Sequence, residues 1–205
     1  KMSRHSKVGK DEYTEVKRNF MFSFLMSNGL LQDDKFMEIG AGVVRNSLTL
    51  KYLNEGCYHG TEISEDRYKE GLLEVSELGL DHKKPDLRLY SDIKELKYDY
   101  KFDKMFAFAV LIHLTDSILD DMFAFVADNL ADDGVFYGNC NIGDREESFW
   151  CEFPVVWRSL DFYIGMAAQH GLDCVPMGSL FELGHKSGNK LGDQQIMIQF
   201  TLKKA

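Results

Sequence analysis

Short apolar runs alternate along the chain with longer stretches in which apolar residues recur at helical spacing. That alternation predicts parallel βαβ units, in which helices cover both faces of a sheet. In residues 11–28, Val16, Phe20 and Phe24 mark one face of a helix, and Gly29 supplies its C-terminal stop. Further helices are predicted at 44–53, 64–78, 116–130 and 162–170, and strands at 35–39, 58–62, 87–90, 103–110, 134–138, 173–177 and 195–202.

One hydrophobic core is enough for a chain of this size. The 205 residues are 44% hydrophobic, which suits a single α/β domain built on one central sheet. No helix is predicted between the last two strands, so we expect them to pair antiparallel. We therefore expect seven mostly parallel strands, with residues 1–34 forming an N-terminal tail and a helix packed on the core, and residues 35–205 forming the main domain.

The charge and the hydrophobic pattern of the chain disfavour nucleic-acid and membrane partners. Its net charge is −9, and no block of Lys and Arg forms a stripe, whereas nucleic-acid binding depends on neutralising phosphates. We therefore expect no nucleic-acid partner and interpret the basic N-terminus (Lys1, Arg4, Lys7 and Lys10) as a solvated tail. No apolar run reaches the roughly 20 residues that span a bilayer, so no membrane partner is expected.

The four cysteines, Cys57, Cys140, Cys151 and Cys174, are scattered without C-x-x-C spacing. This spacing favours buried, reduced thiols in a cytoplasmic protein over disulfides or a zinc site. The paired acids Asp132 and Asp133 fall in a predicted turn that enters the fifth strand, away from the ends where ligands bind in such sheets. No metal site is predicted.

The most informative stretch is residues 36–45, where a carboxylate precedes a Gly-x-Gly turn at the end of an apolar run. Gly40 and Gly42 can adopt backbone angles closed to other residues, so a ligand can lie against bare main chain where a helix begins. Glu62 ends the next predicted strand, at the position where an acid hydrogen-bonds ribose hydroxyls in doubly wound folds. Together with Glu38, these residues predict a crevice for a nucleoside cofactor.

Two residues depart from the dinucleotide-binding pattern. That pattern requires Gly-x-Gly-x-x-Gly, but Arg45 occupies the third glycine position. Glu38 would repel phosphates, but it would pair well with the ammonium group of an amino-acid ligand. S-adenosylmethionine carries such an ammonium, a sulfonium and no phosphate. An NAD-dependent oxidoreductase is therefore an alternative that both residues disfavour.

The segment Glu38-Ile-Gly-Ala-Gly42 resembles the cofactor motif of class I S-adenosylmethionine-dependent methyltransferases, with Val44 replacing the usual third glycine. The longer pattern through Glu62 is similar to a bacterial subgroup with a G-x-G-x-x-R motif. The resemblance implies a Rossmann-like methyltransferase fold with an antiparallel last strand, and S-adenosylmethionine as the cofactor. The implied cofactor contacts are Glu38, Gly40, Gly42, Arg45, Glu62, Ile63, Asp92, Ile93, Ala109 and Val110.

His113 follows the fourth strand and is the predicted general base, because an imidazole can take a proton from an attacking hydroxyl. A structural histidine satisfied by backbone is the alternative, just as Asp92 could be a turn former or helix cap. The aromatic segment after the fifth strand predicts a substrate site, although packing explains the tryptophans equally well. The glycine-rich loop before the last strand resembles a His-containing loop of the same subgroup, and this resemblance makes His185 a further candidate. The candidate substrate residues are Asn139, Asn141, Trp150, Trp157, Arg158 and His185.

The resemblance implies methyl transfer to a small-molecule acceptor, and the leading expectation is a hydroxyl of a sugar or secondary metabolite. Three alternatives stay open. They are N-methylation of a small amine, the NAD-dependent oxidoreductase, and a catalytically silent cofactor-binding subunit that acts as an interaction partner. We expect a cytoplasmic location, and a homodimer is the oligomer considered.

Overall fold

The computed structural model describes His5, residues 11–151 and residues 153–204, so the basic residues Lys1, Arg4, Lys7 and Lys10 lie outside the described residues. Its helices are α1 (Thr14–Ser27), α2 (Ser47–Tyr52), α3 (Glu65–Glu77), α4 (Asp116–Asn129), α5 (Leu160–Gln169) and α6 (Lys190–Asp193). Its strands are β1 (Phe36–Ile39), β2 (Tyr58–Glu62), β3 (Asp86–Leu89), β4 (Phe102–Ala107), β5 (Leu130–Cys140), β6 (Ser148–Trp150), β7 (Phe153–Val155), β8 (Leu172–Ser179) and β9 (Ile196–Leu202).

Seven of these strands form one sheet in the order β3-β2-β1-β4-β5-β9-β8. The first five pair in parallel, and β9 runs antiparallel to both β5 and β8. The predicted Rossmann-like fold, with a mostly parallel sheet and an antiparallel last strand, is confirmed. Two features were not predicted: the one-turn helix α6 between β8 and β9, and the hairpin of β6 and β7, which is separate from the sheet.

Alternate residues of the strands feed two cores, one on each face of the sheet. In β4, Met105 packs with residues of α4 and α5, whereas its neighbour Phe106 packs with residues of α1, α2 and α3. In β5, Phe136 and Tyr137 divide in the same way. Successive side chains of a strand point to opposite faces, so this pattern confirms helices on both faces.

Helix α1 belongs to the core rather than to a detached tail. Its residues Phe20, Met21, Phe24 and Leu25 are buried, and they pack in the same cluster as Phe36 of β1. Helix α1 therefore packs on the core. No helix among the described residues combines the length and the apolar character that crossing a membrane requires.

Several element boundaries differ from the sequence prediction, and two of these differences shape the site. The fourth strand ends at Ala107 rather than at residue 110, because Ala109 has a positive φ of 57°, which a strand cannot contain. The predicted helix 44–53 begins at Ser47, because Val44 also has a positive φ, 54°. Both boundaries therefore move to make room for turns at the carboxyl ends of β1 and β4.

All four cysteines are free thiols, as expected. Cys57 and Cys140 are buried and Cys174 is half-buried, but Cys151 is exposed. The prediction of buried thiols is therefore wrong for Cys151. It follows the hairpin strand β6, an element that the sequence pattern did not reveal.

Candidate active site

The carboxyl ends of β1, β2, β3, β4 and β5 open onto one cavity of about 950 Å³. Because the carboxyl ends of parallel strands meet at the same edge of a sheet, residues far apart in sequence converge there. Of the predicted site residues, all line this cavity except Asn139 and Arg158. The structure therefore brings nearly all of the predicted site residues together at one connected cavity, although they form only part of its wall.

The turn after β1 is fastened to the end of β2 by Glu62. The Glu62 carboxylate is buried, and its Oε2 accepts a hydrogen bond from the Gly42 amide at 2.8 Å. Its Oε1 accepts from the amides of Ile63, at 3.0 Å, and Ser64, at 2.8 Å. Gly40 and Gly42 both have positive φ, 72° and 58°, as the tight turn requires. Glu62 thus shapes the glycine turn as well as lining the cavity.

Glu38 is a buried carboxyl group beside the same turn. Tyr58 donates its hydroxyl hydrogen to Glu38 Oε2, and the positive charge of Arg45 lies nearby. Burial nevertheless raises the pKa of Glu38 to about 8, and the hydrogen bond and the charge only partly oppose that rise. A cation that binds beside Glu38 would therefore favour ionisation of its carboxyl group and pair with the resulting carboxylate.

The segments that follow β2, β3 and β4 form another part of the cavity wall. Ile63 is half-exposed, Ile93 is buried, and Val110 packs across the turn from Gly40. Asp92 accepts a hydrogen bond from the Lys94 amide at 2.9 Å and caps a short 3₁₀ turn. The alternative explanation of Asp92 as a helix cap therefore fits its geometry, and the residue also lies on the cavity wall.

Asn139 holds the turn after β4 and does not reach the cavity. Its side chain is fully buried, and its Oδ1 accepts from the Ala109 amide at 2.7 Å. Its Nδ2 donates to Gln195 Oε1 at 2.6 Å. The predicted role of Asn139 as a substrate contact is corrected: both ends of its amide are occupied by protein, and it fixes the strained Ala109 in place.

Arg158 is also placed differently from the prediction. Its guanidinium is buried and makes hydrogen bonds to Asp116 Oδ1, with Nε at 2.9 Å, and to the carbonyl oxygen of Leu114 at 2.7 Å. These contacts join α4 to the segment before α5, so Arg158 is corrected to a structural role. Asn141 and Trp157 do line the cavity, and Asn141 donates to the carbonyl oxygen of Val156 at 3.0 Å.

His113 lies where the cavity meets the hairpin of β6 and β7. Its Nδ1 is 2.7 Å from the Pro154 carbonyl oxygen. A carbonyl only accepts, so Nδ1 carries the hydrogen and Nε2 the lone pair of the neutral ring. The ring stacks on Trp150 with centroids 5.7 Å apart, and Arg67 lies 4.7 Å from the Phe153 ring centroid. Burial, reinforced by the charge of Arg67, lowers the pKa of His113.

His185 lies on another part of the wall, in the loop between β8 and β9. Its Nδ1 is 2.8 Å from Asp193 Oδ1. Its ring centroid is 5.7 Å from that of Phe108 and 5.1 Å from that of Phe20. The loop therefore brings a histidine–carboxylate pair into contact with α1 and with the turn after β4.

Helix α1 contributes residues that sequence reasoning missed. Lys17 and Met21 line the cavity, as does Tyr13, which directly precedes the helix. Burial lowers the pKa of Lys17 to about 8, with a further contribution from the charge of Arg45, and Lys17 has no carboxylate partner among the described residues. The spacing of four between these residues places them on one helical face, which is the sequence signal that could have identified them.

Comparison with known proteins gives relatives in fold alone. No family model matches this sequence, and no curated protein matches it. A solved S-adenosylmethionine-dependent methyltransferase from Clostridium acetobutylicum is 16% identical, with a TM-score of 0.70, over 97% of this chain and 94% of that one. The CcbJ methyltransferase from Streptomyces caelestis is 12% identical, with a TM-score of 0.70, over 96% of this chain and 92% of that one.

A third structure in the comparison, magnesium protoporphyrin IX methyltransferase from Synechocystis PCC 6803, was solved with bound S-adenosylmethionine. It is 14% identical to this chain, with a TM-score of 0.69, and the match covers 94% of this chain and 80% of that one. The chain therefore has the Rossmann-like fold of S-adenosylmethionine-dependent methyltransferases. At these identities the likeness establishes the fold alone, so the reaction must be argued from the site.

Proposed function

We propose that this protein transfers a methyl group from S-adenosylmethionine to a small-molecule acceptor, and that the acceptor group is a hydroxyl of a sugar or secondary metabolite. The observation that carries the proposal is Glu38, a carboxyl group beside the glycine turn whose pKa is raised to about 8 by burial, so that its ionised form favours a positive charge on the ligand. A cationic amino-acid group supplies that charge, whereas a pyrophosphate would be repelled.

The described residues fit this cofactor along the whole cavity. Glu38 would pair with the ammonium group, and Glu62 retains lone pairs that can accept from ribose hydroxyls. Lys17, a half-buried cation on the wall, suits the carboxylate of the amino-acid portion. The adenine would lie among Ile63, Asp92, Ile93, Ala109 and Val110. When bound, S-adenosylmethionine supplies a methyl group on a sulfonium, which an aligned nucleophile displaces.

The choice of a small acceptor is supported by the size and lining of the cavity. About 950 Å³ lies near the upper end of the range for small-molecule sites, which leaves room for an acceptor beside the cofactor. Trp150, Trp157 and Asn141 provide aromatic and amide surface for such a molecule. The net charge of −9 disfavours a nucleic-acid acceptor. A cytoplasmic location and a homodimer stay predictions that accompany this proposal.

We expect S-adenosylhomocysteine to bind with a dissociation constant on the order of 1 μM or lower, and NAD not to bind measurably. Glu38 attracts the ammonium of the first ligand and repels the phosphates of the second. Titration calorimetry measures both, and adenosine serves as a control ligand that keeps the nucleoside but lacks the ammonium. Tight binding of NAD with no response to S-adenosylhomocysteine would overturn the proposal in favour of an oxidoreductase.

The affinity for S-adenosylhomocysteine should rise with pH up to about pH 8. In the free protein the pKa of Glu38 is raised to about 8, so the carboxyl is mostly protonated at neutral pH. The ligand ammonium favours the carboxylate, so binding releases a proton. The dissociation constant then falls by about tenfold per pH unit below that pKa. Above about pH 8 it should rise again, because Lys17, whose pKa is lowered to about 8, loses the charge that faces the ligand carboxylate. Tyr58, Arg45 and Glu62 also face Glu38, and none of them is changed in this experiment.

Calorimetry in buffers of different ionisation enthalpy counts the released proton. Glu38→Gln is the matched variant, because the amide keeps the size of the side chain and a hydrogen-bond acceptor for Tyr58 while it cannot titrate. We expect its affinity to be low and independent of pH up to about pH 8. A wild-type affinity that is equally flat between about pH 6 and about pH 8 would show that Glu38 does not meet the ammonium.

A further inference from the structure

The loop between β8 and β9 holds a buried histidine–carboxylate pair on the cavity wall. His185 Nδ1 lies 2.8 Å from Asp193 Oδ1, and the two side chains are only 2% and 8% exposed. Asp193 belongs to the short helix α6, and the backbone of this loop is closed by a hydrogen bond from the His185 amide to the Leu180 carbonyl at 2.8 Å. The pair is therefore built into the fold rather than resting on the surface.

Asp193 is held as an anion. Its Oδ1 also accepts from the Ser187 hydroxyl at 2.7 Å and the Ser187 amide at 3.1 Å, and its Oδ2 accepts from the Gly188 amide at 3.0 Å. Burial alone would raise the pKa of Asp193, but these hydrogen bonds and that from His185 lower it below its ordinary value. A carboxylate can only accept, so the hydrogen of the neutral imidazole sits on Nδ1 and the lone pair on Nε2.

The other nitrogen of this ring, His185 Nε2, is buried and has no hydrogen-bond partner among the described residues. His185 lies on the cavity wall, and its ring packs against Phe108 and Phe20. A buried acceptor without a hydrogen-bond partner is unfavourable, so this position favours a donor from a bound molecule. The O–H of an acceptor is such a donor.

We propose that His185, oriented by Asp193, takes the proton of the acceptor's hydroxyl as its oxygen attacks the methyl group. This inference rests on the proposed function and names the base for it. An oxygen lone pair forms the new O–C bond, and the electrons of the breaking C–S bond go to sulfur, which becomes a neutral thioether. The O–H proton moves to His185 Nε2, and the resulting imidazolium is stabilised by Asp193 until it returns the proton to water.

The surroundings of His113 are less suited to this task. Its Nδ1 is held by a carbonyl oxygen of Pro154, which carries no full charge, and Arg67 disfavours a second positive charge beside it. Lys17 acts on His185 in the same sense, but His185 has a carboxylate in direct contact. An ionised partner stabilises an imidazolium more than a neutral one does. His113 is then a positioning residue, which holds the hairpin of β6 and β7 against the cavity.

The test compares His185→Gln, Asp193→Asn and His113→Gln with His170→Gln as the control. His170 makes the same kind of pair, 2.7 Å from Asp120, on α5 and α4, and it does not line the cavity. Calorimetry with S-adenosylhomocysteine comes first. Binding by the wild type and by His185→Gln within about threefold of each other supports the inference, whereas no binding by the wild type defeats the proposed function itself and this inference with it.

Formation of S-adenosylhomocysteine is then followed with a set of hydroxyl- and amine-bearing small molecules. We expect His185→Gln to lower kcat by about 10²–10⁴-fold, His113→Gln to raise KM without removing the pH dependence of kcat, and His170→Gln to match the wild type. In Asp193→Asn the inflection of the pH–rate profile should move to lower pH, because the carboxylate raises the pKa of His185. A large loss of kcat in His113→Gln with full activity in His185→Gln overturns the inference.

The protonation of the ring is measured independently of any acceptor, by ¹⁵N NMR of the imidazoles in the complex with S-adenosylhomocysteine. For His185 we expect the neutral form with hydrogen on Nδ1 at neutral pH, because burial lowers its pKa below the ordinary value. In Asp193→Asn we expect that preference to be lost. Hydrogen on Nε2 of the neutral ring, or a fully protonated ring at neutral pH, overturns the inference, since neither form can accept a proton there.

Discussion

Gly40→Ala should weaken the binding of S-adenosylhomocysteine by about 100-fold or more. Gly40 has a φ of 72°, and a Cβ placed on it would lie 2.5 Å from Val110 Cγ2. Left-handed backbone costs an L-residue roughly 1–2 kcal/mol, and relieving the overlap must displace either the turn or Val110. The turn and Val110 both form the cavity wall, so we expect the substitution to lower the affinity for the ligand. Titration calorimetry on the folded variant measures it.

Gly165→Ala is the matched control for that substitution. Gly165 lies inside α5, and no atom comes within 4 Å of a Cβ built there. Alanine in a helix interior is roughly 0.5–1 kcal/mol more favourable than glycine, so this variant should gain stability and keep the wild-type affinity. If Gly40→Ala folds and binds within about threefold of Gly165→Ala, the glycine turn is not the cofactor site.

Glu62→Gln should lower both the unfolding free energy and the affinity for S-adenosylhomocysteine. Three backbone amides, from Gly42, Ile63 and Ser64, donate to the two carboxylate oxygens. A glutamine has one oxygen and an NH₂ group, so at least one buried N–H would face another donor. That costs about 1–3 kcal/mol, and we expect a loss of stability of about this size. The turn that Glu62 fastens lines the cofactor site, so affinity should fall by at least about tenfold.

Urea unfolding and calorimetry measure the two effects, with Glu65→Gln as the control. Glu65 lies on the surface of α3, where it forms an ion pair with Lys69 four residues away, and exposed pairs of this kind contribute little. We expect Glu65→Gln to match the wild type in both measurements. Equal behaviour of the two variants would mean that the Glu62 hydrogen bonds do not hold the turn.

The fold was predictable because its main signals are local. In β4, Met105 and Phe106 face two different cores. Because both faces of this strand are buried, its residues appear in the sequence as a continuous apolar run. The hairpin of β6 and β7 was missed because its strands have three residues each and lie outside the sheet, too short for a period to show. The end of β4 was misplaced because Asn139, thirty residues away in sequence, holds Ala109 in its turn.

The site was predictable to the extent that it lies at strand ends. Glu38 and Glu62 lie at the carboxyl ends of the neighbouring strands β1 and β2. A doubly wound sheet therefore brings them to one cavity independently of the other elements. Residue type at a strand end does not show whether a polar group contacts a ligand or protein, and Asn139 and Arg158 were misassigned for that reason. Lys17 was missed because its spacing of four from Tyr13 and Met21 shows that the three share one helical face, but tertiary contacts decide that this face meets the cavity.

A crystal structure of the protein with S-adenosylhomocysteine tests the central claim most directly. We expect the ligand ammonium within about 3 Å of the Glu38 carboxylate, the ribose hydroxyls against Glu62, and the sulfur facing the part of the cavity lined by Phe108 and His185. A ligand that binds elsewhere, or a ribose that does not meet Glu62, would contradict the proposed cofactor site and with it the proposed reaction.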